Sequence, residues 1–580
     1  MCGILAISLE KDSIKSEEVE KMLSTISHRG KNSNNIIIIN DNLAMAQARL
    51  AIIDLSTNSN GPITNEDSTI FLTYNGEIYN YDEIRKDLLK KGHIFKSNGD
   101  AEILVHGYEE WGIDVLNKIE GMFAFALYNK ITNEILCARD YVGIKPLYYA
   151  HFNNNFIVAS EIKAILAYTS FKKELNYSAL ADYFVYRYVP SPNTIYKNIY
   201  KLQPASYITF KDNKIQGPYN YWELKPTEKS YKGNIIEEVK SILLTSVKNQ
   251  LKSDVPVGIF LSGGIDSSTI ALLTKQSGYT PLAFTIGFNN WEKSEHIKAR
   301  IICENLNIEL KEKLLDQKAI ENVDESAYYY DEPIADISIV PTFEVSRLAS
   351  KYLSVVLSGE GGDELFAGYE WHKKLMKNLW AIKLKPNGLV KFYADAMSMG
   401  KFDKNELKLL FNKKFHKYIN TDVYYFYKKN YIKNIHPLKA LQYLDFKTFL
   451  AELVLTKVDR ASMAHTLEVR VPFLNKHLIE FMFSLSPNVY FNKNTTKYIL
   501  KEILKNNVSD KIINLPKQGF VGPDKFYDCK EYYKKKLENS ALINEGIINK
   551  IQVNKYFQNN EFWKLWKIFV LETWFKKWIF

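Results

Sequence analysis

The sequence predicts an α/β protein in two parts: a sheet sandwich, then a parallel sheet with crossover helices and a helical extension. Three observations carry this. Residues 2–210 hold short apolar runs separated by turns, and several, such as Met122-Phe123-Ala124-Phe125-Ala126-Leu127, are apolar on both faces, which suits sheets covered on both sides. Across 234–580 helical and strand patterns first alternate, the order of a parallel sheet, and then become mostly helical after Asp363. Between these parts, 211–233 is polar, lacks a clear period and carries Gly217, Pro218, Pro226 and Gly233, which marks it as the linker.

In order, the first part predicts strands at Ile4–Ser8, Asn35–Ile39, Leu43–Arg49, Ile70–Tyr74, Met122–Tyr128, Ile135–Arg139, Pro146–Phe152 and Phe156–Ala159, with helices at Tyr81–Lys91 and Ala101–Trp111. The second part opens with a helix at Ile235–Lys252 and a strand at Val257–Leu261 that runs into a glycine turn and another helix. Further strands follow at Leu282–Phe288 and Ser354–Leu357. The tail Phe562–Phe580 sets Trp563, Trp566, Trp574 and Trp578 among lysines, the pattern of an amphipathic helix docked on its own domain. A helix lying on a membrane surface would share that pattern.

Composition excludes several function classes. A chain of 580 residues exceeds one ordinary core, and 46% hydrophobic with 24% charged residues is the balance of a globular protein rather than a disordered one. The net charge of +10 would permit a nucleic-acid partner, but lysines are spread along the chain and the densest run, Lys534-Lys535-Lys536, stands alone. A nucleic-acid footprint clusters, so no such partner is expected. Cys2, Cys137, Cys303 and Cys529 form no CxxC or zinc-type spacing, and the cysteines indicate neither a disulfide framework nor a structural metal. The opening Met1-Cys2-Gly3-Ile4 lacks the features of a secretory signal, and no apolar run approaches a bilayer span. A reducing cytoplasm and no membrane partner are the expectation.

The first chemical centre is Cys2. Removal of Met1 would give one residue both a thiol and an α-amino group, the latter titrating near working pH, so that nucleophile and general base come together without a histidine. Beyond it lie Arg49-Leu50-Ala51-Ile52-Ile53-Asp54, Asn75-Gly76-Glu77-Ile78-Tyr79-Asn80 and Ser97-Asn98-Gly99-Asp100-Ala101-Glu102, each at or after a predicted strand or turn. Arg49 can grip an α-carboxylate and Asp100 an α-ammonium, while the Asn75 amide and the Gly76 N–H can hold a tetrahedral oxyanion. Such a set would recognise the amino-acid head of glutamine while Cys2 attacks its side-chain amide.

The second centre follows the strand Val257–Leu261, where Ser262-Gly263-Gly264-Ile265-Asp266-Ser267-Ser268 leads into a helix. A glycine turn before a helix N-terminus cradles anions, and the spacing differs from the Walker P-loop. Ser358-Gly359-Glu360-Gly361-Gly362-Asp363-Glu364 ends another strand. Carboxylates beside a triphosphate suit Mg²⁺, which takes one or two of them with phosphate oxygens; Asp266 and Asp363 are assigned that role and Glu360 that of base or orienter for incoming ammonia.

These motifs carry a resemblance. Cys2-Gly3-Ile4, His28-Arg29-Gly30, Arg49–Ile52, Asn75–Asn80, Gly121–Phe125 and Arg139-Asp140 with Gly143, Lys145, Pro146 and Leu147 resemble the glutaminase domain of class II glutamine amidotransferases, an Ntn-hydrolase αββα sandwich. The Ser262–Ser268 loop resembles that of N-type ATP pyrophosphatases, adenine-nucleotide α-hydrolase-like enzymes that split ATP between its α and β phosphates. Asp331–Asp336, Lys457–His465, Leu467–Phe473, Lys497 and Lys517 extend the likeness over the whole chain to glutamine-hydrolysing asparagine synthetases. The resemblance implies glutamine at Cys2, Arg49, Leu50, Ala51, Ile52, Ile53, Asn75, Gly76, Glu77 and Asp100. It implies ATP at Leu261, Ser262, Gly263, Gly264, Asp266, Ser267, Ser268, Ile286, Ser358, Gly359 and Lys497, with Phe284–Phe288 lining the adenine pocket. The acceptor falls to Glu360, Lys457 and Arg460, with Asp459-Arg460 and Glu468/Arg470 equally readable as structural ion pairs. Glutamine, aspartate and ATP are then the small-molecule partners, Mg²⁺ the metal, and a homodimer is compatible. The chain departs from the family at Lys31, Ala101, Ile308–Lys311 and Val521-Gly522, the last two bearing on the acceptor. A different carboxylate, such as a uronic acid or cell-wall precursor, is the nearest alternative; a sensor built on an inactive enzyme is a more distant one.

Overall fold

The computed structural model describes residues 1–289, 291–383, 387–491, 495–513 and 519–580. Two six-stranded antiparallel sheets form the first part. One runs, edge to edge, through Ile199–Lys201, Tyr148–Phe152, Asn155–Ala159, Cys2–Ser8, Leu43–Arg49 and Ser33–Asn40; the other through Lys214–Asn220, Ser206–Lys211, Glu134–Arg139, Gly121–Asn129, Ile70–Ile78 and Ile63–Thr64. Strand alternation sorts their side chains. Cys2, Ile4 and Ala6 meet Ala124, Ala126 and Tyr128 between the sheets, whereas Leu5 and Ile7 face helix Ser16–Ser24, and Phe123, Phe125 and Leu127 face helices Tyr81–Lys90 and Glu102–Trp111. This is the expected αββα sandwich, and it explains strands that are apolar on both faces.

The segment expected as the linker contributes the edge strand Lys214–Asn220, paired with Ser206–Lys211, so part of 211–233 belongs to the first sandwich. Its side chains are mostly exposed, and that polarity hides the strand from a reading of hydrophobic period.

The second part holds a five-stranded parallel sheet ordered Leu310–Leu315, Ala283–Phe288, Val257–Phe260, Val355–Leu357, Glu468–Arg470. The two outer strands were not expected. Leu310–Leu315 is half charged, as edge strands often are, and Glu468–Arg470 is short with two buried charges. The tail forms helix Phe562–Trp578, buried from Leu565 to Phe575, and its Lys567 donates to the carbonyls of Phe184, Ser398 and Gly400. It is a core helix. Among the described residues, no helix is long and apolar enough to cross a membrane.

Candidate active sites

Cys2 opens its strand opposite Arg49 in the register, so the thiol and the guanidinium start from neighbouring strand ends. The residue is buried, and Gln47 Nε2 donates to its Sγ at 3.4 Å. The Cys2 N–H donates to Asn75 Oδ1 at 2.9 Å. That bond orients the amide: Asn75 Nδ2 is buried with no hydrogen-bond partner, a donor held without an acceptor. At Gly76 a Cβ would come within 2.2 Å of the Met122 carbonyl oxygen, so only glycine fits this strand crossing. Asp100 receives Tyr74 Oη and the Ile78 N–H, both at 2.8 Å, and burial raises its carboxyl above the usual range.

The other glutamine-site expectations fall as follows. Arg49 clamps the following loop, donating to Ser56 O at 2.9 Å, Asn60 Oδ1 at 2.8 Å, Ile53 O at 3.2 Å and Asp54 O. Leu50 and Ile52 are buried in the core, which leaves backbone atoms as their offer; Ala51 and Ile53 are half-buried. Glu77 is buried and faces Arg470 across the domain boundary at 3.4 Å. Burial and Glu468 raise its carboxyl well above normal, with Arg470 opposing. The N-terminal ammonium, carried here by Met1, pairs with Glu468 at 3.1 Å.

In the second part a cavity of about 500 Å³ opens over the ends of the parallel strands. Leu261, Ser262, Gly263, Gly264, Asp266 and Ser267 line it from one loop and the helix start after it, Ser358, Gly359, Glu360 and Asp363 from another, Lys457 from a helix and Lys497 from the turn before helix Tyr498–Leu504. The phosphate loop is braced internally: Ser262 Oγ receives the Gly264 N–H at 3.3 Å, and Ser268 Oγ donates back to Gly264 O at 2.6 Å. Gly264 caps helix Ile265–Gln276 without a side-chain hydrogen bond, so the backbone of this first turn faces the cavity as an anion site. Gly263 has φ +78°, and a Cβ there would stand 2.5 Å from Lys298 Cβ.

Asp266 and Asp363, in the first turns of helices Ile265–Gln276 and Gly362–Leu365, converge on one cation, Lys497 Nζ, which lies 2.7 Å from Asp363 Oδ1 and also bonds Asp266. Burial alone would lower the ammonium's pKa; the two carboxylates outweigh it and raise it. Glycines make room for the pair, since a Cβ on Gly362 would be 2.5 Å from Asp266 Cγ and one on Gly368 2.0 Å from Asp363 Oδ1. Two convergent carboxylates at the mouth of a phosphate loop are a donor set that fits Mg²⁺.

Three expected residues stand outside the cavity lining: Ser268 serves as the brace, Ile286 is buried within its strand while Phe284 lines the cavity, and Arg460 points elsewhere. Ile308–Glu309 and Lys311 lie off the cavity at the sheet edge, whereas Phe520 and Val521 line it; Lys517 lies outside the described residues. Sequence reasoning missed Arg187, Asp336, Ser338 and Glu364 as cavity residues. Arg187 comes from the first part, at φ +74° after helix Tyr177–Tyr186, and meets Asp336 at 3.4 Å. Nothing in its sequence context marks it. Glu364 is pushed up to about 8 by burial and by Asp363, and it receives Tyr369 Oη at 2.6 Å.

Helix Leu455–Met463 joins the two centres. It continues a helical run from Pro437 whose middle, Asp445–Val454, is wound as a π-helix, a distortion frequent at functional sites. At about 100° per residue, Lys457 and Asp459 project to nearly opposite sides. Lys457 Nζ donates to Ser338 Oγ at 2.6 Å inside the cavity. Asp459 receives both terminal nitrogens of Arg29, at 2.8 and 3.0 Å, and Arg29 Nε donates to the Cys2 carbonyl at 3.1 Å. Arg460 pairs with Glu161 at 2.7 Å, the carboxylate Arg29 also contacts. Burial would raise Glu161; Lys163, Arg460 and His28 instead hold it well below the usual range.

Comparison with known proteins agrees with this geometry. Residues 238–576 match the family described as asparagine synthase, and residues 1–222 match the glutamine amidotransferase domain. Asparagine synthetase [glutamine-hydrolyzing] 1 of Bacillus subtilis (strain 168) is 31% identical over 555 residues, 90% of this chain and 87% of that one. A putative asparagine synthetase [glutamine-hydrolyzing] 2 of Methanocaldococcus jannaschii is 37% identical across 64% of this chain and 76% of its own length. Amidase chry2 of Gibberella zeae is 28% identical across 92% and 91%. With a thiol-bearing sandwich, a phosphate-loop cavity and both domain matches in one polypeptide, the chain belongs to the family of glutamine-hydrolysing asparagine synthetases.

Proposed function

We propose that the chain hydrolyses glutamine at Cys2 and passes the ammonia to an acyl-adenylate of aspartate, giving asparagine, AMP, pyrophosphate and glutamate. The observation that carries this reading is the helix Leu455–Met463, which places Lys457 in the phosphate-loop cavity and ties Asp459 through Arg29 to Cys2.

In the first site, loss of Met1 would leave the Cys2 nitrogen as an α-amine beside Asn75 Oδ1, positioned to take the thiol proton. The Sγ attacks the amide carbon of glutamine, and the unpartnered Asn75 Nδ2 with the Gly76 N–H stabilises the oxyanion. Its collapse breaks the C–N bond, the α-amine returns the proton to the leaving ammonia, and water then hydrolyses the thioester to glutamate and restores the thiol. Asp100 supports the substrate ammonium. Arg49 shapes the loop that receives the carboxylate; its guanidinium reaches the ligand if the loop carbonyls release it.

In the second site, the Ser262–Ser268 loop and the helix N-terminus hold the departing pyrophosphate, and Lys497 neutralises charge beside it. Asp266 and Asp363 would hold Mg²⁺, which supplies charge neutralisation of the phosphates. The aspartate side-chain carboxylate attacks the α-phosphorus; of Lys457 and Arg460, it is Lys457 that lines the cavity and can reach the acceptor. Asp336, kept ionised by Lys457 and Arg187 against the effect of burial, is an acceptor for an ammonium. Glu360, hydrogen-bonded by Ser358 Oγ, orients ammonia for attack on the acyl carbon.

The amidase-named relative supports a second reading in which a different carboxylate is amidated. Incubation of a panel of acids with ATP and ammonium, reading pyrophosphate release and product mass, tests the two. Aspartate-dependent release sustains the proposal; release only with a uronic or peptide acid replaces the acceptor.

A further inference from the structure

Away from both centres, Glu66, His93, His106 and Glu109 each offer one ligand atom, and these four atoms all lie within 4.8 Å of one another. His106 Nδ1 lies 3.5 Å from Glu66 Oε2 and 3.8 Å from Glu109 Oε2, and His93 Nδ1 lies 3.6 Å from the same Glu109 oxygen. These separations are too long for good hydrogen bonds. They are close to the spacing of about 3.3 Å between ligands of a tetrahedral ion with bonds of about 2.0–2.1 Å. His106 is fully buried, and its Nδ1 has no hydrogen-bond partner, so a polar atom is aimed into the cluster unsatisfied.

The surrounding bonds fix the direction of three of the four ligands. His106 Nε2 sits 3.4 Å from Glu102 Oε1, which leaves Nδ1 as the atom facing the cluster; metal-bound histidines are oriented in this way by a carboxylate on the far nitrogen. Glu102 is itself held by the Ser97 N–H at 2.9 Å and the Lys96 N–H at 2.7 Å. The Ile94 N–H occupies Glu66 Oε1 at 2.7 Å and Asn65 Nδ2 reaches Glu109 Oε1 at 3.4 Å, so the second oxygen of each carboxylate is the one presented. Phe95 covers the His106 ring with centroids 4.5 Å apart.

We propose that these four residues form a binding site for a divalent transition-metal ion, Zn²⁺. Two imidazoles and two carboxylates, with no thiolate, suit zinc rather than a softer ion and rather than the all-oxygen shell of Mg²⁺ or Ca²⁺. The cysteine spacing could not reveal such a site; the signal was the helical pair His106 and Glu109, with His93 and Glu66 remote in sequence. The ion ties helix Glu102–Trp111 to the segment 93–99 that leads into Asp100, so its role is to fix the wall of the first site. Binding of the ion is independent of the reaction at either centre.

Zn²⁺ titration against a competing chelator tests it on the full chain, in a Cys2→Ala background so that the catalytic thiol does not contribute. Expected is one tight site per chain that weakens at least tenfold in His93→Gln and in Glu109→Gln, with Zn²⁺ raising the denaturation midpoint of the parent and of neither variant. Glu109 is exposed and His93 half-buried, which keeps the folding risk of these variants low. Co²⁺ in place of Zn²⁺ should give the visible ligand-field bands of a four-coordinate site in the parent. Equal Zn²⁺ affinity in parent and folded variants, or a parent with neither tight Zn²⁺ nor the Co²⁺ bands, overturns the proposal.

Discussion

Arg29 holds Asp459 by both terminal nitrogens, 430 residues away in sequence, while its Nε donates to the carbonyl of Cys2. The pair is fully buried, so removing one partner would strand a charge at a cost of about 3–5 kcal/mol. A conservative change isolates coupling from stability. Arg29→Lys keeps the charge and loses the fork. We expect glutaminase turnover and ammonium-dependent synthesis to stay within a few-fold of the parent, while glutamate released per amidated product rises. An unchanged ratio would show the bond to be structural alone.

Asn75 serves two partners with one amide, its oxygen on the Cys2 nitrogen and its nitrogen toward the substrate. Asn75→Ala should therefore lower glutaminase kcat by about 10²–10³. Cys2→Ala should abolish it, and both variants should retain synthesis from ammonium. A loss of ammonium-dependent synthesis in either would mean the centres are not separable.

Much of this was legible in the sequence because it depends on local chemistry. Strands such as Gly121–Asn129 betrayed their two covered faces by composition, and the Ser262–Ser268 turn is readable because glycines and a helix start are local. What escaped was set by tertiary contact. Lys214–Asn220 is a strand because a neighbour pairs with it, although its side chains face solvent. Arg460 and Lys457 sit three residues apart, and only the helix's placement between domains sends one to Glu161 and the other to the cavity. Arg187 reaches a cavity belonging to the other part of the chain.

Asp266, Asp363 and Lys497 form one charge cluster in the phosphate cavity. Asp266→Asn or Asp363→Asn should lower ATP-dependent pyrophosphate release by at least about a hundredfold, with glutaminase activity retained, because each removes half of the carboxylate pair. ADP as the nucleotide product would contradict the assignment of the loop.

Asp182 gives a pH prediction away from chemistry. Burial pushes its carboxyl from 3.8 up to about 7, with the Tyr425 Oη bond opposing. The native state thus keeps a proton that the unfolded chain releases, and stability is lost as pH rises through that interval. Asp182→Asn removes this titration. Its denaturation midpoint should fall less between about pH 4 and about pH 8, with a gain of up to about 4 kcal/mol at the upper end. Parallel curves for parent and variant would refute the shift.

One chain is expected to move the amide nitrogen of glutamine to ATP-activated aspartate. Glutamine labelled with nitrogen-15 in its amide, supplied with aspartate, ATP and Mg²⁺ alongside excess unlabelled ammonium at a pH that keeps it protonated, tests this most directly. Asparagine that carries the label is expected, formed in step with AMP and pyrophosphate, with the label absent from the product of Cys2→Ala. Asparagine that carries only unlabelled nitrogen, or no amidated aspartate at all while glutamine is consumed, would contradict it.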